Sequence, residues 1–201
     1  MSIKTRFAPS PTGKLHIGGA RTALFNYLFS KHNNGDFFIR IENTDIERST
    51  LENVHSIEDS LKWLGILPTQ KISFQSDNFD RHIQIAKKLL EHGFAYKCYL
   101  TNDELEELRK KSRETGKPIK SPYRNDINSN LKKDHVIRLK MPLDGNTLIK
   151  DVVQGEVSVS NEVLDDMVLL RKDKTSTYML ASVVDDFDMK ISHVIRGDDH
   201  L

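Results

Sequence analysis

The chain has 201 residues, of which 37% are hydrophobic and 29% are charged, a composition typical of a folded globular protein. Its single cysteine, Cys98, excludes an internal disulfide framework and a four-thiolate metal site. The sequence has no apolar run of the roughly 20 residues that span a bilayer, and no apolar signal segment at its start. We therefore expect a cytoplasmic protein without a membrane anchor.

The formal net charge of +1 hides an uneven distribution. Residues 109–140 contain eleven basic and three acidic residues, a net charge of +8, so the remainder of the chain carries −7. A basic segment on an acidic body is a plausible binding surface for a phosphate backbone. The alternative, a solvated surface arm that binds nothing, stays open at this point.

The first hundred residues alternate between strand-like and helix-like patterns. An apolar strand over 3–8 runs into a turn-rich loop, and Gly18-Gly19 then open a helix whose apolar stripe includes Leu24 and Leu28. The next segments are predicted as a strand, a helix and a helix: 37–42, 51–64 and 83–90. This order is typical of a parallel sheet with crossover helices, so we predict an α/β fold.

The pattern changes near residue 97. Thr101 and Glu104 predict a capping box at the start of a short helix through Leu108, and a polar, turn-rich stretch follows. Strand-like runs come next, at 135–141, 147–153, 156–160 and 167–170. These features predict an inserted α+β module over 97–177. A helix over 178–184 and a strand over 191–196 then resume the first pattern.

The loop over residues 8–19, Ala-Pro-Ser-Pro-Thr-Gly-Lys-Leu-His-Ile-Gly-Gly, is the most informative segment. Gly18 and Gly19 allow a ligand to approach the main chain, and a helix start supplies unpaired N–H groups that attract anions. His16 could donate a hydrogen bond to a phosphate oxygen. The segment matches neither the P-loop nor the dinucleotide-binding fingerprint, and a purely structural role explains the glycine pair about equally well.

Several motifs together resemble bacterial glutamyl-tRNA synthetases. His16-Ile17-Gly18-Gly19 resembles the HIGH signature of class I aminoacyl-tRNA synthetases, within RFAPSPTGKLHIGGARTALFNYLF. Further similar strings follow in the family's order: RIENTDIERS, LKWLGI, FQSDNFD, HVIRLKMP and TYMLASVVDDFDMKISHVIRGDDHL. The resemblance implies a Rossmann-like (HUP-type) parallel sheet with an inserted α+β acceptor-binding module. The implied parts are a catalytic domain over 1–96 and 178–201 and a tRNA acceptor-end-binding module over 97–177.

The resemblance also implies a two-step reaction. L-glutamate attacks the α-phosphorus of ATP, which is bound with Mg²⁺, to form glutamyl-adenylate, and the acceptor end of tRNA(Glu) then takes the glutamyl group. Such a reaction needs alignment and charge neutralisation and no protein nucleophile. The implied protein is a monomeric cytoplasmic ligase of protein biosynthesis.

Glutamate has two carboxylates and one ammonium, so its pocket needs guanidinium groups and one counter-carboxylate. Arg6 and Arg196 match the family's glutamate-reading arginines, and Glu42 matches the residue that takes the α-ammonium. All three lie at ends of predicted strands, where α/β sheets bind ligands. The full glutamate-binding set implied is Arg6, Ala8, Ser10, Glu42, Tyr178, Ser182 and Arg196. Ordinary ion pairs of the two arginines with Glu42, Asp45 or Asp198 are the alternative.

The remaining implied roles concern ATP and tRNA. The signature residues His16, Gly18 and Gly19 are the expected catalytic positions; ATP contacts are expected from His16, Gly18 and Asp199. Residues expected near the tRNA are Asp45, Arg48, Lys110, Lys111 and Arg113. A structural loop role for Asp45 and Arg48 is about equally plausible.

The sequence departs from the family's pattern at several places. Gly19 replaces histidine, as in many bacterial members, and Ser182 replaces an asparagine near the substrate side chain. Cys98 stands without the other ligands of the zinc knuckle that some members carry, so we predict no zinc. No KMSKS-type segment or anticodon-binding region follows, so we expect an N-terminal part of a longer enzyme. A glutamyl-queuosine tRNA(Asp) synthetase and a non-catalytic substrate-binding fragment stay open as alternatives, as does the choice between tRNA(Glu) and tRNA(Gln).

Overall fold

A computed structural model of the chain describes residues 2–45, 48–126 and 134–197. The helices are α1 (Ile17–His32), α2 (Leu51–Trp63), α3 (Phe79–Glu91), α4 (Asn102–Thr115) and α5 (Tyr178–Asp188). The strands are β1 (Lys4–Phe7), β2 (Asp36–Ile41), β3 (Ser73–Phe74), β4 (Ala95–Cys98), β5 (Val136–Leu139), β6 (Asn146–Asp151), β7 (Gly155–Ser160) and β8 (Val168–Leu170). Among these helices none is long and apolar enough to cross a membrane.

The chain divides into two compact units. The first combines Met1–Arg81 with Ala181–Leu201, and the second is His82–Leu180. The predicted insert over 97–177 falls inside the second unit, and its boundaries stay a prediction. The mixture of a parallel sheet and packed helices in the first unit with antiparallel strands in the second agrees with the predicted α/β class.

The first unit is built on a parallel sheet with the strand order β1-β2-β3. In β2, Phe37 to Ile41 are all buried, as expected for a parallel strand covered on both faces. The hydrophobic core brings together residues of β1, α1, β2 and α2: Phe7, Ala23, Phe37, Ile39, Ile41, Val54, Ile57, Leu61 and Ile66. The predicted strands near residues 4 and 37 and the helix from residue 51 are therefore confirmed.

Helix α1 buries only part of its predicted apolar stripe, which also included Ala20, Ala23 and Tyr27. Leu24 and Leu28 of the predicted apolar stripe are 43% and 52% exposed, whereas Ala23, Asn26 and Ser30 are buried. The buried residues are spaced by three and four, so they share one face of the helix. Their polar groups are used locally: the carbonyl of Asn26 accepts a hydrogen bond from the Thr5 hydroxyl of β1 at 2.8 Å. The prediction was therefore right for Ala23 and for Tyr27, which packs against the core, and wrong for the two leucines, because Asn26 and Ser30 form the rest of the buried face.

The second unit contains an antiparallel sheet, β4-β5-β8, and a separate β6-β7 hairpin. The capping box of α4 is present: Glu104 N donates to the Thr101 hydroxyl, and the Glu104 carboxylate accepts from Thr101 N. The helix is longer than predicted and ends where Gly116 adopts a φ of +66°. Strand β4 was not predicted, although its Tyr96 and Cys98 are core residues.

The predicted strand over 191–196 is wrong. This segment meets the edge of β1, but Ser192 N and His193 N both donate to a single carbonyl, that of Lys4. In return, Lys4 N donates to the Ser192 hydroxyl at 2.7 Å. The serine side chain thus takes the position that a main-chain carbonyl would occupy in a strand ladder.

Candidate active site

The loops that follow β1 and β2 lie side by side. The amide of Glu42, the first residue after β2, donates to the Pro9 carbonyl at 2.9 Å. Pro9 lies between the half-buried Ala8 and the exposed Ser10, so these two predicted pocket residues flank a direct contact with Glu42. Because β1 and β2 are parallel, their carboxyl ends share one edge of the sheet, which is where α/β folds bind ligands.

Arg40 is the centre of a buried network of charges at this edge. Its side chain is 1% exposed. Its Nη2 donates to Glu42 Oε1 at 3.0 Å and to the Ser182 hydroxyl at 3.3 Å, and its Nη1 donates to Asp186 Oδ1 at 2.6 Å. These bonds use one carboxylate oxygen of Glu42, and no hydrogen bond between described residues uses the other, Oε2.

Asp186 extends the network to Arg6. The Nε of Arg6 donates to both oxygens of Asp186, at 3.0 and 3.1 Å. Among the described residues, no hydrogen bond uses the two terminal nitrogens of Arg6. Arg6 therefore forms an ion pair, as the alternative predicted, but its partner is Asp186 and not Glu42 or Asp45. Because Asp186 accepts only from Nε, this pair does not itself use the terminal nitrogens of Arg6.

The network has an excess of negative charge. Arg6 and Arg40 face three carboxylates, those of Glu42, Asp185 and Asp186. Burial raises the pKa of Glu42, since it disfavours the charged form; Arg40 opposes this shift and Asp186 adds to it. A cation beside Glu42 would offset the remaining negative charge, so this corner of the site favours an ammonium group.

His16 caps helix α1. Its Nδ1 accepts from Gly18 N at 3.2 Å and from Gly19 N at 3.4 Å. The expectation that these amides are unpaired and form an anion site is therefore wrong. An accepting Nδ1 places the proton of a neutral imidazole on Nε2, so the exposed ring presents one N–H donor. A Cβ at Gly18 would lie 3.0 Å from His16 Cε1, so the missing side chain leaves room for this ring position.

The other residues predicted to bind the substrates differ in their burial and in their position in the fold. Ser182 is buried and bonds to Arg40, as described above. Arg196 is exposed and does not follow a strand, but the carbonyl of the preceding Ile195 accepts from Asn26 Nδ2 at 2.9 Å. Tyr178 is the first residue of α5, is 39% exposed and belongs to the second unit. Asp199 lies outside the described residues.

A family model described as "tRNA synthetases class I (E and Q), catalytic domain" matches residues 2–201. The chain belongs to this family. It is 53% identical over 199 residues to the glutamate--tRNA ligase of Caulobacter vibrioides, a match that covers 99% of the chain and 42% of that protein. Glutamate--tRNA ligase 1 of Orientia tsutsugamushi is 54% identical over 208 residues, covering 100% of the chain and 43% of that protein. The chain thus spans less than half the length of these relatives.

Solved structures agree with the family assignment. The chain superposes with a TM-score of 0.88 and 36% sequence identity on the crystal structure of a glutamate tRNA ligase from Elizabethkingia meningosepticum in complex with its amino acid. That match covers 99% of this chain and 44% of the other. The predicted resemblance to glutamyl-tRNA synthetases and the Rossmann-like fold are therefore confirmed.

The residues predicted to contact tRNA lie at the surface of the protein. Lys110 and Lys111 of α4 are exposed, whereas the neighbouring Arg113 donates to Glu106 at 3.2 Å. In the first unit, Arg48 Nε donates to Asp45 Oδ2 at 2.6 Å, so these two residues hold their own loop together. Their roles toward tRNA stay predictions.

The basic stretch over 109–140 is less available than its charge suggests. Arg124 and Arg138 are buried, and both bond to Asp166: Arg124 Nη1 to its carboxylate and Arg138 Nη1 to its main-chain carbonyl. They are part of the core of the second unit and not of an open surface. Lys132 and Lys133 lie outside the described residues. The interpretation of the whole +8 segment as one binding surface was therefore wrong.

Cys98 is a core residue. It is 1% exposed, its Sγ donates to the Ser121 hydroxyl at 3.3 Å, and it packs in one cluster with Tyr96 and Leu100. Residues 2–45, 48–126 and 134–197 contain no group of three or more His, Cys, Asp or Glu that could hold a metal ion.

The sequence reasoning missed three charged residues of the site. Arg40, Asp185 and Asp186 stand within motifs that were quoted only for their resemblance to the family, RIENTD and VVDD. Their position within apolar elements could have identified them. An arginine inside an apolar strand and two adjacent aspartates inside an apolar helix each require a partner of opposite charge when they are buried.

Proposed function

We propose that the chain carries the amino-acid-binding and ATP-binding part of a glutamate–tRNA ligase. The whole enzyme would join L-glutamate to ATP as glutamyl-adenylate and then transfer the glutamyl group to the 3′ end of tRNA(Glu). The family membership and the names of the relatives support this proposal. The chain covers 42 to 44% of the relatives described above, so the activity of the whole protein belongs to the proposal. A cytoplasmic monomer belongs to it as well.

One observation carries the proposal: at the carboxyl ends of β1 and β2, Arg6 and Glu42 each have atoms that no hydrogen bond between described residues uses. Arg6 is bound through Nε and keeps its terminal nitrogens for a carboxylate. Glu42 is bound through Oε1 and keeps Oε2 for an ammonium. L-glutamate offers both kinds of group, and bidentate guanidinium–carboxylate bonding would orient it. Ala8, Ser10, Ser182 and Arg196 complete the proposed pocket, and the glutamate contact implied for Tyr178 stays a prediction.

ATP would bind, together with Mg²⁺, against the loop before α1. The Nε2–H of His16 would donate to a phosphate oxygen, and Gly18 would leave space for the adenine. The formation of glutamyl-adenylate needs no nucleophile from the protein. An oxygen of the substrate α-carboxylate attacks the α-phosphorus, the bond from this phosphorus to the β-phosphate oxygen breaks, and pyrophosphate leaves with both electrons of that bond. The protein's contribution is alignment and neutralisation of the developing charge. Gly19 and Asp199 belong to the same proposed ATP site.

The proposed tRNA contacts are the exposed residues of α4 and of the loop after β2. Lys110 and Lys111 would neutralise backbone phosphates of the acceptor end, since both are exposed cations. Arg113, Asp45 and Arg48 would have to exchange part of their present ion pairs for contacts with the nucleic acid.

Binding of L-glutamate to the chain tests the proposal. Isothermal titration calorimetry should detect L-glutamate and should show at least tenfold weaker binding of L-glutamine, which lacks the second carboxylate. Arg6→Gln should weaken glutamate binding at least tenfold. The matched control is Arg81→Gln, which breaks an exposed pair with Asp188 in the same unit and should leave the affinity unchanged. Equal affinity for the two amino acids, or no binding, would refute the proposal.

A further inference from the structure

We propose that the buried Arg40 and the half-buried Asp186 are positioning residues for the amino-acid substrate: they lie between the two groups that bind it and fix the orientation of Glu42 and Arg6. The inference rests on the proposed function, because it concerns how the same pocket recognises glutamate. Neither Arg40 nor Asp186 needs to touch the substrate. Their role would be to hold its two binding partners at a fixed separation and with their unused atoms directed outward.

Arg40 controls Glu42. Its guanidinium group is planar and rigid, so two bonds from different nitrogens fix the carboxylates that accept them relative to each other. Nη2 donates to Glu42 Oε1 at 3.0 Å, and Nη1 donates to Asp186 Oδ1 at 2.6 Å. Glu42 cannot turn its Oε2 inward without breaking the first of these bonds.

Asp186 connects Arg40 to Arg6 by hydrogen bonds. Its Oδ1 accepts from both Arg40 and Arg6, and its Oδ2 accepts from Arg6 as well. The result is one continuous chain of charged hydrogen bonds from Glu42 through Arg40 and Asp186 to Arg6. Within the part of the protein that the structure describes, no hydrogen bond uses Glu42 Oε2 at one end of this series or the terminal nitrogens of Arg6 at the other. An amino acid with an ammonium and a carboxylate complements these two ends.

A second set of bonds anchors the helix that supplies Asp186. The adjacent Asp185 is 1% exposed and accepts from Gln75 Nε2 at 2.9 Å and from Asn78 Nδ2 at 3.0 Å. Its Oδ2 also lies 3.8 Å from Arg40 Nε. Two motifs of the sequence, FQSDNFD and VVDD, are therefore joined inside the first unit. This contact fixes the rotation of α5 about its axis, and with it the direction of the Asp186 carboxylate.

Stability alone is a poor explanation for this network. Removing several charges from water costs free energy that their mutual attraction often only offsets, and packed apolar residues can replace such clusters with little or no loss. Among the described residues, its ion pairs also join three carboxylates to two guanidinium groups. A role in orienting groups for an ammonium ligand accounts for both features.

The test compares L-glutamate with glutarate, which has the same two carboxylates and no ammonium. Both ligands are titrated into the unchanged chain and into Arg40→Gln and Asp186→Asn, with circular dichroism as a check of folding. Arg40→Gln frees Glu42, so the preference for L-glutamate over glutarate should fall at least fivefold. Asp186→Asn frees Arg6, which serves both ligands, so both affinities should fall at least tenfold. General loss of structure would not change the preference selectively.

Asp188→Asn is the matched control, because Asp188 lies on α5 in an exposed pair with Arg81, outside the network. It should keep both affinities. If Arg40→Gln does not fold, Arg40→Lys keeps the charge but loses the planar pair of donors, and its preference should fall in the same direction. Unchanged binding in the folded Arg40 and Asp186 variants would overturn this inference while leaving the proposed function intact. Absence of glutamate binding by the unchanged chain would overturn both.

Discussion

The buried carboxylate of Asp166 allows the sharpest stability prediction for the second unit. Its side chain is 0% exposed and accepts from Arg124 Nη1, from the Tyr96 hydroxyl at 3.0 Å and from Met141 N at 3.1 Å. Its main-chain carbonyl accepts from Arg138 Nη1 at 2.7 Å. One acid therefore organises four donors, of which two are buried cations. We expect the substitution Asp166→Asn to be among the most damaging isosteric changes in this unit.

The magnitude follows from what the substitution leaves behind. Asn keeps one acceptor oxygen but places an amide NH₂ where Asp166 had its second oxygen, and it leaves the charge of Arg124 without compensation. Breaking a buried ion pair by removing one partner costs about 3–5 kcal/mol. The free energy of unfolding should therefore fall by about 3 kcal/mol or more, measured by urea denaturation, with loss of amide-exchange protection in β4 and β5.

The control is an ion pair of the same unit that water reaches. Glu106 is 59% exposed and pairs with Arg109 and Arg113, and exposed pairs of this kind contribute little. Glu106→Gln should leave the urea midpoint unchanged within error. Single mutations usually lower the free energy of unfolding by about 1 kcal/mol. If Asp166→Asn lowers it by less than that, Asp166 does not organise this unit.

Four further outcomes are expected. Because burial raises the pKa of Glu42, glutamate affinity should fall as the pH is lowered, and calorimetry in the range where the affinity falls should detect proton release on binding. Burial raises the pKa of Tyr96 above its ordinary value near 10, so stability should decline above about pH 10, but not in Tyr96→Phe. A Cβ at Gly35 would lie 2.3 Å from a main-chain carbonyl oxygen, so Gly35→Ala should lower the melting temperature by several degrees, as calorimetry can measure. In filter binding, Lys110→Ala with Lys111→Ala should weaken tRNA binding and lower the log–log salt slope by about 1.8.

Elements with strong local signals were predictable from the sequence. The apolar run of β2, the capping box at Thr101 and the regular apolar spacing of α2 each specify their element without distant contacts. The conformation of the segment after α5 was not predictable, because a local pattern of apolar residues cannot show that the Ser192 side chain replaces a main-chain acceptor. Short strands such as β3, with two residues, give no periodicity to detect.

The candidate site was predictable only in part. His16, Glu42 and Arg6 follow from their positions at strand ends and from the resemblance to the synthetase family. Arg40 lies within an apolar strand, and its partner Asp186 is 146 residues away in the chain. No pattern within a window of the sequence can pair residues at that distance, so the network that holds the site together becomes visible only in the fold.

Helix α5 buries charged and apolar residues on one side. Its aliphatic Val183 and aromatic Phe187 are 67% and 77% exposed, whereas Asp185 and Asp186 turn inward, with side chains 1% and 17% exposed. The same inward face also buries Ala181 and Val184, which are 0% and 5% exposed, so burial of apolar area favours the observed rotation as well. Arg40 compensates both aspartates. Charge pairing and apolar burial therefore act together in setting which face of α5 is buried.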